Sequence, residues 1–283
     1  VKVGHAGTLD PMATGVLLVC TGPATRLISR LQAAPKTYVA EFVLGQRSDT
    51  DDATGDIEQA TLPATLPTEA EIGAALQAFT GPIQQVPPAF SAVKVKGQRA
   101  YTKARRGDEF QLKPRTVVVH SIQILNFDWP KLNLRITCGS GTYIRSIARD
   151  LGERLGCGGL MSALERTAIG QFSIADATDP NLLTEQNLPQ HLTSPAQVVQ
   201  DLPRYHCSAE IREVIARGNM VVPQPELWAP PNTAPDQLSE DLTDGAEVAL
   251  VSESGSELLA LGQWKRSAGR IQPRTVFVRP RNS

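Results

Sequence analysis

The chain is poor in the residues that usually announce chemistry or compartment. Cysteine occurs four times (Cys20, Cys138, Cys157, Cys207), far apart and never as C-x-x-C. That spacing excludes a disulfide framework, and with only four histidines it offers no structural zinc pattern. Scattered, reduced thiols fit a cytoplasmic protein. Aromatic residues make up 5% of the chain, so its core must rest on Leu, Val, Ile and Ala. Long apolar runs are missing too: the stretch Val16 to Cys20 is far too short for a membrane span or a secretory signal. Net charge is nearly absent, with 28 Lys+Arg against 29 Asp+Glu, so no bulk field draws the protein onto a polyanion. No internal repeat is evident. What remains is an ordinary globular balance over 283 residues, 41% hydrophobic and 20% charged, enough for a larger domain plus a smaller one.

Periodicity supplies the elements. Tyr38 to Leu44 and Leu132 to Cys138 alternate as strands, and Thr116 to His120 leads into a third through Ile122, Ile124 and Phe127. Thr68 with Glu71 has capping-box form and predicts a helix over Ile72, Leu76 and Phe79, ending at Gly81-Pro82. From Thr142, the residues Ile144, Ile147, Ala148, Leu151 and Leu155 fall at helical spacing until Gly156 to Gly159. Pro-rich stretches occur at 62–67, 180–203 and 223–235, and a domain boundary is placed within about 180–205. Beyond it, Glu247 to Val251, Leu258 to Leu261 and Thr275 to Val278 predict a small all-β module.

Charge is segregated along the chain. Between Lys94 and Arg115 stand eight basic residues, among them Lys94, Lys103, Arg105 and Arg106, opposed only by Asp108 and Glu109. Six more lie between Lys265 and Arg281 with no acid among them. The compensating acids gather at Asp49 to Glu58 and Asp236 to Glu247. Two separate basic segments suit a phosphate backbone, although a single run of this kind is more often a solvated face.

The densest motif is Gly4-His5-Ala6-Gly7-Thr8-Leu9-Asp10-Pro11-Met12-Ala13-Thr14-Gly15. Taken by itself, Asp10-Pro11 predicts a helix start, Asp as N-cap and Pro at the first helical position. The whole motif resembles the G-H-x-G-T-L-D-P-x-A-T-G signature of the TruB family of tRNA pseudouridine synthases. Further elements follow in the family's order: Lys36-Thr37-Tyr38, the loop Gly45 to Gly55, Pro87-Pro88-Ala89-Phe90-Ser91-Ala92-Val93-Lys94, Cys138 to Arg145, and Leu164-Glu165-Arg166-Thr167. Gly139 stands where the family usually has a small Ser. Together they span about residues 1–175.

The resemblance implies an α+β chain. A pseudouridine-synthase catalytic domain with a mixed, largely antiparallel central sheet and flanking helices would occupy 1–200, with a basic insertion at about 94–115. A small β-rich PUA-like RNA-binding domain would occupy 201–283. It also implies that uridine 55 in the tRNA T-arm stem-loop becomes pseudouridine, with Asp10 as the catalytic carboxylate on a flipped-out base. Arg166 would pair with Asp10, and Tyr38 would stack on the base. His5 would contact the T-loop, Asp52 would contact RNA or order its loop, and Tyr143 and Leu164 would wall the base pocket. Lys94, Lys103, Arg105 and Arg106 would grip the RNA backbone. No metal, cofactor, membrane or obligate protein partner is implied, and the protein is expected to act as a cytoplasmic monomer. Family members carry a Lys-Pro strand before the first motif, whereas only Val1, Lys2 and Val3 precede Gly4, so the natural protein is expected to be longer. Two alternatives stand beside this reading: an RNA-binding or tRNA-folding protein without catalysis, and a dyskerin-like guide-dependent synthase.

Overall fold

Strict alternation of apolar side chains builds the central sheet. In Lys131–Cys138, Leu132, Leu134, Ile136 and Cys138 are buried while the residues between them turn to the opposite face. Lys36–Leu44 buries Lys36, Ala40, Phe42 and Leu44 on one face, and period two puts Tyr38 on that face as well. The computed structural model describes residues 1–91, 93–95, 98–99, 110–229 and 242–280. Within them the chain forms two compact units. The larger gathers Ala6–Leu18 and Arg30–Ala177; the other gathers Val1–His5, Val19–Ser29 and Thr178–Ser283.

In the larger unit, the strands Thr14–Gly15 (β1), Lys36–Leu44 (β2), Gly81–Gln85 (β3), Arg115–Asp128 (β4), Lys131–Cys138 (β5), Gly159–Ile169 (β6) and Phe172–Ser173 (β7) form one seven-stranded sheet. Its order is β7-β6-β2-β5-β4-β3, with β1 running parallel to β6 and every other pairing antiparallel. Helices Glu69–Leu76 (α1) and Ile144–Arg154 (α2) contribute Ile72, Ala75, Leu76, Ile144, Ile147, Ala148 and Leu151 to the core over it. The expected capping box is present: Thr68 N–H donates to Glu71 Oε2 at 2.8 Å, and Glu71 N–H to Thr68 Oγ1 at 3.3 Å. α2 lies almost on the backbone that leads into β6. A Cβ on Gly152 would sit 2.1 Å from the Gly158 carbonyl carbon, so glycine alone allows that approach.

One expectation fails here. Asp10-Pro11 starts a turn rather than a helix, closed by the Ala13 N–H on the Asp10 carbonyl at 2.8 Å. The next two residues pair with β6 as β1, and that pairing leaves no helix to cap.

The other unit is built on Arg204–Cys207 (β8), Trp228–Ala229 (β9), Glu247–Ser252 (β10), Leu258–Lys265 (β11) and Arg270–Val276 (β12), in the order β9-β8-β10-β11-β12. Tyr205, Trp228 and Trp264 fill its core edge-to-face, with centroids 5.3 and 6.1 Å apart. The all-β expectation needs amendment: the helix Ala209–Ala216 (α3), capped by Ser208 Oγ on the Ile211 N–H, buries Ile215 against these strands. The short antiparallel pair Val3–His5 and Val19–Thr21 also belongs to this unit. The chain as a whole is α+β, with a mixed, largely antiparallel sheet in the larger unit and a small β-rich sheet in the other.

Candidate active site

The site is assembled in the larger unit from three short segments laid against β2 and β6. The loop Ala6 to Gly15 is the first. It is tied at both ends, by Ala6 N–H on Leu18 O at 2.9 Å and Val16 N–H on Arg166 O at 2.8 Å. Gly15 must be glycine, because its φ is +99° and a Cβ there would lie 2.2 Å from the Arg166 carbonyl oxygen. The Arg166 side chain, 2% exposed, then fastens the loop from within. Its Nε donates to Val16 O at 2.8 Å, Nη2 to Gly7 O at 3.1 Å and Nη1 to Thr8 O at 3.4 Å.

These bonds correct the expected role of Arg166. Each of its three nitrogens donates to a backbone carbonyl, and it does not form the ion pair with Asp10. Arg145 forms that pair instead, with Nε 3.0 Å from Asp10 Oδ2. The contact is electrostatic, since the buried Nε–H has no aligned hydrogen-bond acceptor. The Arg145 side chain is 7% exposed and that of Asp10 is 34% exposed, so the carboxylate stands at the surface with its cation beneath it.

Asp52 holds Arg145 from the other side. Its Oδ2 accepts from Arg145 Nη1 at 3.0 Å, while Oδ1 accepts from Thr50 Oγ1 at 2.8 Å, Thr54 N–H at 2.9 Å and Thr54 Oγ1. Arg145 also donates Nη1 to Thr50 O at 3.2 Å and Nη2 to Phe90 O at 3.3 Å. Asp52 is 4% exposed, and of the two roles expected of it, contact with RNA or ordering of its loop, these bonds serve the second: its carboxylate orders its own loop and fixes the arginine. Beside it, Asp51 adopts a left-handed backbone at φ +61° and pairs with Arg149 at 2.7 Å. Burial pushes the Asp51 carboxyl up to about 6, outweighing Arg149 and Arg145, which pull it down.

Tyr38 on β2 stands opposite Arg166 on β6 and Ile136 on β5. Burial raises its phenol, as does neighbouring Cys138, against the Arg166 cation and its hydrogen bond. Leu164 is buried on β6 two positions before Arg166, and Tyr143 is the half-buried residue from which α2 starts. The structure therefore gathers Asp10, Tyr38, Tyr143, Leu164 and Arg166 in one unit and adds Arg145. Sequence reasoning placed Arg145 in a motif without giving it a task. His5 lies in the other unit, on Val3–His5 opposite Val19. Lys103, Arg105, Arg106 and the side chain of Lys94 lie outside the described residues. Among the described residues no three His, Cys, Asp or Glu side chains cluster as metal ligands. No described helix is long and apolar enough to cross a membrane.

A buried arginine thus bridges two carboxylates, one of them presented to solvent. Comparison with known proteins decides the family. The family model "TruB family pseudouridylate synthase (N terminal domain)" matches residues 1–144, and "tRNA pseudouridylate synthase B C-terminal domain" matches 145–203.

The chain belongs to the TruB family of pseudouridylate synthases.

Among its relatives, "tRNA pseudouridine synthase B" of Cereibacter sphaeroides is 47% identical over 281 residues, 98% of this chain and 87% of that protein. The protein of the same name from Dinoroseobacter shibae is 38% identical over 281 residues, covering 98% of this chain and 86% of its own. That from Parabacteroides distasonis is 44% identical over 191 residues, 66% of this chain and 81% of its own. A solved structure titled "Crystal Structure of a Cbf5-Nop10-Gar1 Complex" superposes with a TM-score of 0.68 at 26% identity, covering 100% of this chain and 79% of that one. As a member of the TruB family the chain is a pseudouridine synthase, an isomerase.

Proposed function

We propose that the chain converts uridine 55 in the T-arm of tRNA to pseudouridine, with Asp10 as the catalytic carboxylate. The observation that carries this reading is the Asp10–Arg145 pair: a partly exposed carboxylate 3.0 Å from a buried guanidinium that is itself held by Asp52. The relatives named tRNA pseudouridine synthase B support the substrate class. The target base must leave the helical stack before a side chain reaches it, at a cost of a few kcal/mol. Stacking on Tyr38 returns about 1–3 kcal/mol of that. Tyr143 and Leu164 wall the apolar side of the base. Asp10 then attacks the uridine, the bond from ribose C1′ to ring N1 breaks, carbon 5 bonds to C1′ as the carboxylate is released, and the proton lost from carbon 5 is matched by one gained at N1. Arg145 orients the carboxylate throughout, while Arg166 keeps the loop that carries it in shape.

Residues 1–200 are read as the catalytic domain and 201–283 as an RNA-binding domain, with Lys94, Lys103, Arg105 and Arg106 on the RNA backbone and His5 at the T-loop. The protein acts in the cytoplasm as a monomer, without an obligate partner. The test incubates purified protein with an unmodified T-arm hairpin and digests the RNA for pseudouridine. Wild type should produce it and Asp10→Asn should not, while both bind the hairpin. The fold shared with a Cbf5 complex favours a second reading, in which the enzyme acts only with guide RNA. A hairpin that is bound yet unmodified by wild type would favour that reading over the first.

A further inference from the structure

We propose that Gln85 is a positioning residue of this reaction, acting through the backbone of Tyr143; the proposal rests on the reading of Tyr143 and Arg145 as parts of the site. Gln85 is the last residue of β3 and is 1% exposed. Its side-chain amide does not pair within the sheet. Nε2 donates to the Tyr143 carbonyl at 3.0 Å, and Oε1 accepts from the Tyr143 N–H at 2.8 Å. A side-chain amide thus bonds one residue as a neighbouring strand would, gripping both of its backbone groups. Because one partner offers an N–H and the other a carbonyl, only one orientation of the amide satisfies both.

The gripped residue is a sensitive one. Tyr143 is the N-cap of α2, and no side chain caps that end. Its carbonyl also receives the long Ile147 N–H bond at 3.4 Å, so Gln85 provides the shorter of its two contacts. Arg145 follows two residues later. Neighbouring atoms strengthen the tie, since Val86 O accepts from Ser146 Oγ at 2.9 Å and from Arg149 Nη2 at 3.0 Å. Those bonds fix the start of α2 against the chain after β3. Among the described residues Gln85 is what ties Tyr143 itself to β3, and with it the ring beside the base and the first step toward the Arg145 guanidinium. The Arg145 Nε–H lacks an aligned acceptor, so the guanidinium, held at its far end by Asp52, Thr50 O and Phe90 O, makes no directional bond to Asp10 itself. A misplacement of about 1 Å at reacting groups is enough to lower a rate about 100-fold.

The experiment compares Gln85→Met, Gln85→Glu and Ser146→Ala with wild type in single-turnover assays on the T-arm hairpin. Gln85→Met should slow the chemical step about 10- to 100-fold, with hairpin affinity kept within about threefold. Ser146→Ala removes a bond between the same two segments without touching Tyr143, and its rate should stay within about threefold. Gln85→Glu supplies the pH readout. Its protonated acid again offers one donor and one acceptor, so its rate relative to wild type should rise as pH falls from about 8 to about 5.5. A ratio flat with pH, or an equal loss in Ser146→Ala, reduces Gln85 to a structural residue and overturns the proposal. In the free protein, the Arg145 Nε–H resonance should move in Gln85→Met and hold in Ser146→Ala. That measurement needs no RNA, so a wild type that makes no pseudouridine defeats the functional reading while Gln85 is still decided by the spectrum.

Discussion

Arg145 and Arg166 show how much one residue's environment decides. Both are nearly buried arginines in recognisable motifs, and the sequence assigned the ion pair to the wrong one. Asp10, Tyr38 and Leu164 come from separate motifs, and the structure brings them into one unit. The choice between two arginines depends on where β6 and α2 lie against the loop, and no spacing in the chain encodes that. Arg145→Lys should therefore cost far more than its charge suggests. A point ammonium cannot meet Asp10, Asp52, Thr50 O and Phe90 O together, so the single-turnover rate should drop about 100-fold with hairpin binding retained. Asp51 gives a pH prediction. Its carboxyl sits at about 6 in the folded chain, above its ordinary value of 3.8, so the folded state holds that proton more tightly. The contribution is greatest below about pH 4 and drains away as pH rises to about 6, amounting to about 3 kcal/mol. Asp51→Asn keeps a residue type that accepts the left-handed backbone, and should flatten melting temperature against pH across that interval.

At the scale of elements, the alternating strands and both helices over the sheet were readable from period and caps. The Asp10-Pro11 turn was not, because pairing of Thr14–Gly15 with β6 overrides a locally good helix start. α3 escaped notice because its eight residues stand between the two Pro-rich stretches at 180–203 and 223–235. Two glycines test the packing of the helices in opposite directions. Gly152→Ala would drive a methyl into the Gly158 backbone, and should lower stability by about 1–3 kcal/mol and reduce the rate by moving α2 with its Arg145. Gly73→Ala on α1 meets nothing within 4 Å and removes a poor helix former, so it should raise stability by up to about 1 kcal/mol. Thermal melts of both variants beside wild type settle the signs.

For the whole molecule, a net charge of −1 conceals two basic segments and two acidic ones. RNA binding should therefore weaken steeply with salt despite the neutral total. Replacing Lys103, Arg105 and Arg106 by Gln should flatten the slope of log affinity against log salt by nearly one for each phosphate no longer neutralised. An unchanged slope would remove that segment from the interface. The division into two units was only partly readable. Composition marks a change near 180–205, but nothing in the pattern signals that Val1–His5 and Val19–Ser29 gather with the C-terminal residues.

The strand that carries Tyr38 is bonded on both sides, to β5 through Lys36–Val43 and to β6 through Lys36–Leu44. Its amide protons have no fraying edge through which to meet water, so their exchange waits on opening of the unit as a whole. The loop carrying Asp10 hangs instead from a handful of bonds, most of them to one arginine. The site thus joins a strand whose opening needs the whole unit to a carboxylate whose loop depends on the bonds of a single arginine.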